Sequence, residues 1–146
     1  LNGYGRAGEK TVVVGGGPTG CEIAFHLSEK GYRVTIVEVL SKLASQLESM
    51  TKKILLRKLM ENKVIFKTNC RVIRIEKNGV IIAEKDGGQV TLPADQVVFS
   101  IGNRPEDDLF NQIKSMGHEI HRIGDCLEPR SAKSAIFEGA VLGRAI

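Results

Sequence analysis

A glycine-rich turn between a strand pattern and a helix pattern is the feature that most constrains the fold of this chain. Gly15, Gly17 and Gly20 form a G-x-G-x-x-G pattern directly after the β-branched run 11–14. Apolar residues then recur at helical spacing, and a second strand pattern follows over residues 33–38. A strand, tight turn, helix and strand in this order predict two parallel strands joined by a right-handed crossover. In this context the glycine pattern indicates a dinucleotide-binding turn.

The residues of this turn have separate expected roles. Gly15 permits the tight turn, Gly17 lets the backbone approach a pyrophosphate, and Gly20 lets the helix pack closely on the strand. Pro18 stands near the first helical position, where its missing N–H is not needed. The helix start offers N–H groups and a positive dipole end to an anion. We therefore assign the pyrophosphate to Gly15, Gly16, Gly17, Pro18, Thr19 and Gly20.

Glu38 is the candidate for recognition of the adenosine ribose. It ends the second strand pattern, eighteen residues after Gly20, where an acidic side chain can accept hydrogen bonds from the ribose hydroxyls. A carboxylate would also repel a 2′-phosphate. Residues 39–41 contain no Arg that could hold such a phosphate, although Lys42 is near. The sequence favours NAD over NADP; the alternative is that Glu38 is an ordinary surface carboxylate.

The rest of the chain predicts an α/β fold, a Rossmann-like three-layer domain with a central parallel sheet and an antiparallel β-meander. After a helix over 47–61, the apolar period changes to two. The predicted meander strands are 64–67, 70–77, 80–85 and 89–92, with glycine-containing hairpin turns between them. Further predicted elements are a central strand over 96–101, a strand over 118–123 and a helix over 131–146.

Composition and charge exclude several classes of function. The chain has 146 residues, of which 42% are hydrophobic and 26% charged, as in globular domains. Its net charge of +4 and its seven Phe and Tyr residues do not form the basic, aromatic surface typical of nucleic-acid binding. No apolar run approaches the about 18 residues that cross a membrane.

The three cysteines are far apart without a C-x-x-C pair, which favours a reducing, cytoplasmic location. His118, His121 and Cys126 lack a second ligand cluster, so no metal site is predicted.

These motifs together resemble a known family. Residues 11–105 resemble the nucleotide domain of the pyridine nucleotide–disulfide oxidoreductases, on the motifs at 12–22, 34–38 and 97–105. Residues 123–130 are similar to the tail of the multidomain old yellow enzyme relatives, which include 2,4-dienoyl-CoA reductase, 2-enoate reductase and trimethylamine dehydrogenase.

The resemblance implies a division of the chain and further site residues. In that family the nucleotide domain is inserted in a flavin domain, so residues 1–117 would bind NAD(H) and residues 118–146 would belong to the flavin domain. Asp125 would contact the flavin nucleotide. Glu22 and Gly102 would lie near the nicotinamide. No side chain of this chain is assigned a catalytic role.

The resulting functional expectation is a module of a larger enzyme. The chain would hold NAD(H) for hydride transfer to a flavin, while FAD, FMN and an iron–sulfur cluster would need parts that this fragment lacks. Its partners would be the flavin-binding and barrel domains of the parent protein, with self-association through the C-terminal segment in their absence. The fragment alone is expected to be inactive. The open alternative is a non-catalytic domain that binds NAD or ADP for sensing or structure.

Overall fold

The computed structural model describes residues 9–146 and divides the chain into two units, the first ending at Gly102 and the second spanning Asn103–Ile146. The elements of the first unit follow the expected order. They are β1 (Lys10–Val14), α1 (Pro18–Glu29), β2 (Arg33–Val37), α2 (Ser49–Glu61), β3 (Ile65–Lys67), β4 (Arg71–Glu76), β5 (Gly79–Ala83), β6 (Gln89–Pro93) and β7 (Gln96–Phe99).

The first unit is built on a parallel sheet with strand order β3-β2-β1-β7. Helices α1 and α2 cover one face of this sheet. Val13 and Ile36, which are fully buried, pack there with Ala24 of α1 and Leu59 of α2. The helices form because their apolar residues recur on one side, and that side meets the sheet.

The opposite face of the parallel sheet carries an antiparallel sheet with strand order β4-β5-β6. Val12 and Val14 alternate with Val13 along β1, so they point to this second face and pack with Val80 and Ile82 of β5. Helices, parallel sheet and antiparallel sheet make three layers. The predicted α/β, Rossmann-like fold is confirmed.

Two strand predictions within this unit are wrong in their placement. Residues 64–67 were expected in the meander, but β3 pairs parallel with β2. Lys63 and Asn69, on either side of β3, both have positive φ, so the chain turns sharply before and after it and the meander begins only at β4. The strand expected at the centre, β7, is bonded only to β1 among the described strands.

The second unit contains α3 (Asp108–Ile113), a short 3-10 helix (Gly124–Cys126) and α4 (Ala132–Leu142). The predicted strand over 118–123 is wrong, because these residues form no ladder with any described strand. Side chains hold the segment instead: Arg122 donates to Asp107 at 2.6 Å and lies over the ring of Phe110. None of the helices within residues 9–146 is long and apolar enough to cross a membrane.

Candidate dinucleotide-binding cleft

Two positions of the turn between β1 and α1 require glycine. Gly15 has φ +104°, and a Cβ there would lie 2.1 Å from the carbonyl oxygen of Ser100. A Cβ on Gly20 would lie 2.0 Å from the carbonyl oxygen of Gly15. No side chain fits at such distances, so both glycines allow the close packing of turn, helix and β7 on which the site is built.

Gly17 differs from these two glycines because its surroundings are open. Its φ of −66° suits any residue, and a Cβ would meet only the Gln46 side-chain oxygen, at 3.9 Å. Gly17 is the N-cap of α1 and offers no side-chain cap, and Pro18 follows it. The first N–H groups of a helix lack partners within the helix. The open backbone therefore provides space and donors for an anion.

The Glu38 side chain faces this turn and is only 8% exposed. Its Oε2 accepts the backbone N–H of Gly16 at 2.6 Å, and its Oε1 accepts the N–H of Leu40 at 2.8 Å. A carboxylate offers about four acceptor sites, so both oxygens retain capacity for further donors. The buried charge is thus compensated by two backbone donors, and ribose hydroxyls are the kind of group that could use the remaining sites.

A cleft of about 670 Å³ opens at the carboxyl ends of β1, β2 and β7, where parallel α/β sheets characteristically bind ligands. It is lined by Val14, Gly15, Gly16, Gly17, Pro18, Thr19, Val37, Glu38, Val39, Leu40, Lys42, Ser45, Gln46, Cys70, Arg71, Val72, Phe99, Ser100, Ile101 and Gly102.

Seven of the ten predicted site residues meet in this cleft. They are Gly15, Gly16, Gly17, Pro18, Thr19, Glu38 and Gly102. Gly20 is buried under the turn, and Glu22 is exposed on α1 outside the lining. Asp125 belongs to the second unit. Binding by each of these residues stays a prediction.

Several lining residues were missed from the sequence. Gln46 comes from the loop after β2 and Arg71 from the start of β4. Lys42 and Arg71 add positive charge, and neither forms an ion pair with another side chain in residues 9–146. Phe99 and Ile101 are 59% and 74% exposed and add apolar surface near Gly102. Lys42 lies near Glu38 in the sequence, but Arg71 carries no local signal, because its proximity to the cleft depends on the fold.

The cysteine at the start of α1 is not a reactive group. Cys21 is fully buried, its Sγ lies 3.4 Å from the carbonyl oxygen of Gly16, and burial raises its pKa to about 11. Thiolate chemistry needs a lowered pKa.

No cluster of three or more His, Cys, Asp or Glu side chains that could hold a metal occurs in the described part of the chain.

In the second unit, Asp125 stands in a turn held from α4. Gly124 has φ +61°, and its N–H donates to Oε2 of Glu138 at 2.7 Å. The other oxygen of Glu138 accepts from Arg130. Ser131 caps the start of α4 by accepting the N–H of Ser134. These contacts fix the backbone beside Asp125, whose predicted flavin contact stays a prediction.

Comparisons with known proteins agree with this architecture. Relatives include an NADH oxidase of Thermoanaerobacter brockii, 33% identical over 90% of this chain, and a bilirubin reductase of Mediterraneibacter gnavus, 33% identical over 82%. The matches cover 20% and 18% of those proteins, so the chain spans about a fifth of their length.

Solved structures extend the same comparison. A 2-naphthoyl-CoA reductase in complex with 2-naphthoyl-CoA matches 97% of this chain and 22% of its own, with TM-score 0.82 and 27% identity. Histamine dehydrogenase from Rhizobium sp. 4-9 shares the fold, with TM-score 0.88 at 18% identity over 99% of this chain and 23% of its own. The family model for pyridine nucleotide-disulphide oxidoreductases matches residues 3–139. The chain belongs to the pyridine nucleotide-disulphide oxidoreductase family.

Proposed function

We propose that this chain binds NAD(H) in the cleft at the carboxyl ends of β1, β2 and β7, and that it holds the nicotinamide for hydride transfer to a flavin in a larger NADH-dependent oxidoreductase. The observation that carries the proposal is the open backbone at Gly17, at the start of α1, beside the buried carboxylate of Glu38. The first suits a pyrophosphate and the second suits a ribose.

The two ends of the cleft support different parts of the dinucleotide. Glu38, Leu40 and Arg71 line the cleft around the β2 end, which suits the adenosine. Phe99, Ile101 and Gly102 follow β7 and offer apolar surface to a nicotinamide ring. Hydride transfer itself is supplied by the nicotinamide and the flavin. The contribution of this chain is to bind and orient the nicotinamide.

The small share of each relative that this chain matches supports the second part of the proposal, that the chain works within a larger enzyme. Because the chain spans about a fifth of the multidomain relatives, the flavin, any iron–sulfur cluster and the organic substrate would be bound by other domains. The substrate preference therefore lies outside this chain, and NADH binding is the activity to test on it.

The test is calorimetric titration of the chain with NADH and NADPH, together with Gly17→Val. A valine side chain fits the fold at Gly17, where a Cβ meets only one atom at 3.9 Å, but it fills the space that the pyrophosphate needs. We expect NADH to bind more tightly than NADPH, and Gly17→Val to abolish binding of both while circular dichroism stays unchanged.

Gly139→Val in α4 is the matched control, since a Cβ there also meets only a distant atom, Cδ1 of Ile123 at 3.8 Å. It should bind NADH as the unchanged chain does. Full affinity in folded Gly17→Val would refute the assigned pyrophosphate position, and tighter binding of NADPH would refute the specificity assigned to Glu38.

A further inference from the structure

We infer that Glu38 is also a positioning residue, whose carboxylate holds the glycine turn in its binding shape before any dinucleotide arrives. This inference rests on the proposed function, because the turn is the proposed pyrophosphate site. It differs from ribose recognition in one respect: the carboxylate acts through the Gly16 backbone, so it should affect ligands that have no ribose hydroxyls.

Glu38 is itself held firmly by the main chain. Its N–H donates to the carbonyl oxygen of Lys67 at 2.8 Å, and its carbonyl oxygen accepts the N–H of Cys70 at 3.0 Å. These two bonds continue the pairing beyond β2 on the side of β3. The Glu38 side chain therefore extends toward the turn from a backbone that residues 67–70 hold at both its N–H and its carbonyl oxygen.

The backbone of Gly16 is held at both its N–H and its carbonyl oxygen. Its N–H donates to Glu38 at 2.6 Å, and its carbonyl oxygen accepts the N–H of Ala44 at 2.7 Å. A Cβ at Gly16 would lie 2.2 Å from Cδ2 of Leu43, so the Leu43 side chain packs closely against the glycine backbone. Glu38 thus holds the peptide group before Gly16 and Ala44 holds the one after it, so the backbone leading into Gly17 is fixed on both sides of Gly16.

Loss of the carboxylate should release this arrangement. A buried N–H without an acceptor is costly, and a charged acceptor makes a stronger bond than a neutral one. A Gln side chain has one carbonyl oxygen for the two N–H donors that Glu38 satisfies. In Glu38→Gln the one remaining oxygen either leaves Gly16 without a partner or holds it by a neutral and therefore weaker bond, and in both cases the turn should adopt other conformations that bind a pyrophosphate less well.

The experiment compares NADH with its adenosine 2′,3′-dideoxy analogue, which lacks both ribose hydroxyls, in the unchanged chain and in Glu38→Gln. We expect the substitution to weaken binding of both ligands by about tenfold, a difference of about 1.4 kcal/mol. If the substitution weakens NADH but leaves the analogue unaffected, Glu38 acts only on the hydroxyls and the inference is wrong. If the unchanged chain does not bind NADH at all, the proposed function fails instead.

A ligand-free measurement decides the inference independently of affinity. The Gly16 amide proton should resonate far downfield in the NMR spectrum of the unchanged chain, and it should move upfield and exchange faster with solvent in Glu38→Gln, with the Gly17 amide also shifted. Glu29→Gln, which removes an exposed carboxylate at the end of α1, is the control and should leave both amides in place. Unchanged Gly16 and Gly17 amides in folded Glu38→Gln would overturn the inference.

Discussion

The two units of this chain use apolar residues in opposite ways. Every buried residue of the described chain lies in the first unit, where the sheet is covered on both faces. None of residues 103–146 is buried. On α4, Ile136 and Phe137 are 73% and 68% exposed. The first unit thus has a hydrophobic core of its own, whereas the second presents its apolar side chains.

Polar contacts take the place of a core in the second unit. Arg122 pairs with Asp107, and Glu138 joins the N–H of Gly124 to Arg130. Such partly exposed pairs contribute little to stability individually. Exposed apolar patches are typical of surfaces that pack on another domain or chain. The exposed apolar residues of 103–146 are what we expect of a surface that packs on another domain, and the assignment of residues 118–146 to a flavin domain stays a prediction.

The largest expected effect compares two isoleucines, one in each unit. Ile36 of β2 is fully buried between the parallel sheet and the helices, whereas Ile136 is 73% exposed. Ile36→Ala should lower the free energy of unfolding by roughly 2–5 kcal/mol, because it leaves a cavity in the core. Ile136→Ala should change it by less than about 0.5 kcal/mol. Urea denaturation of both variants measures the difference, and equal losses would contradict the assignment of the core to the first unit.

The first unit was also the more predictable of the two from the sequence. The turn at residues 15–20 follows local rules, because the tight turn and the helix start depend on neighbouring residues. The pairing of β3 does not follow from local rules, because its short apolar run could pair with either β2 or β4 by pattern alone. The predicted strand over 118–123 failed for a related reason: alternation describes one strand, but a strand also needs a partner.

The candidate site likewise contains residues that the sequence could identify and residues that it could not. Glu38 could be identified because its distance from the glycine turn is set by one helix and one strand. Arg71 could not, because it reaches the cleft through the pairing of Cys70 with the backbone of Glu38, which is a contact between distant parts of the chain. Sequence spacing therefore locates residues within one strand–helix–strand unit, and tertiary pairing adds the others.

A second, smaller effect concerns the exposed residues of the second unit. We expect the full chain to self-associate at concentrations well above micromolar through α4, where Ile136, Phe137 and Val141 are exposed. Residues 118–123 form no strand with an unpaired edge, so this expectation depends on the exposed apolar surface of α4. Deletion from His118 onward should give a monomer that still binds NADH. Light scattering on both chains tests this, and a strictly monomeric full chain would contradict it.

The smallest expected effect distinguishes the helix caps of the two units. Glu48 caps α2 by accepting the N–H groups of Met50 and Thr51, whereas Ser131 caps α4 with a hydroxyl. The N–H groups of Met50 and Thr51 hold the pKa of Glu48 below its ordinary value of 4.5. A lowered folded-state pKa means that the cap stabilises the folded chain above pH 4.5, and that this stabilisation is lost as the pH falls through the folded-state value.

Glu48→Gln and Ser131→Ala are therefore a matched pair for thermal unfolding followed by circular dichroism. At pH 7 Glu48→Gln should lower the Tm slightly, and this difference should vanish on acidification because the unchanged chain loses its charged cap as well. The hydroxyl of Ser131 does not titrate. Ser131→Ala should therefore lower the helical signal of α4 to the same extent at pH 7 and well below pH 4.5. A Glu48→Gln difference that persists well below pH 4.5 would mean that the charge of Glu48 does not stabilise α2.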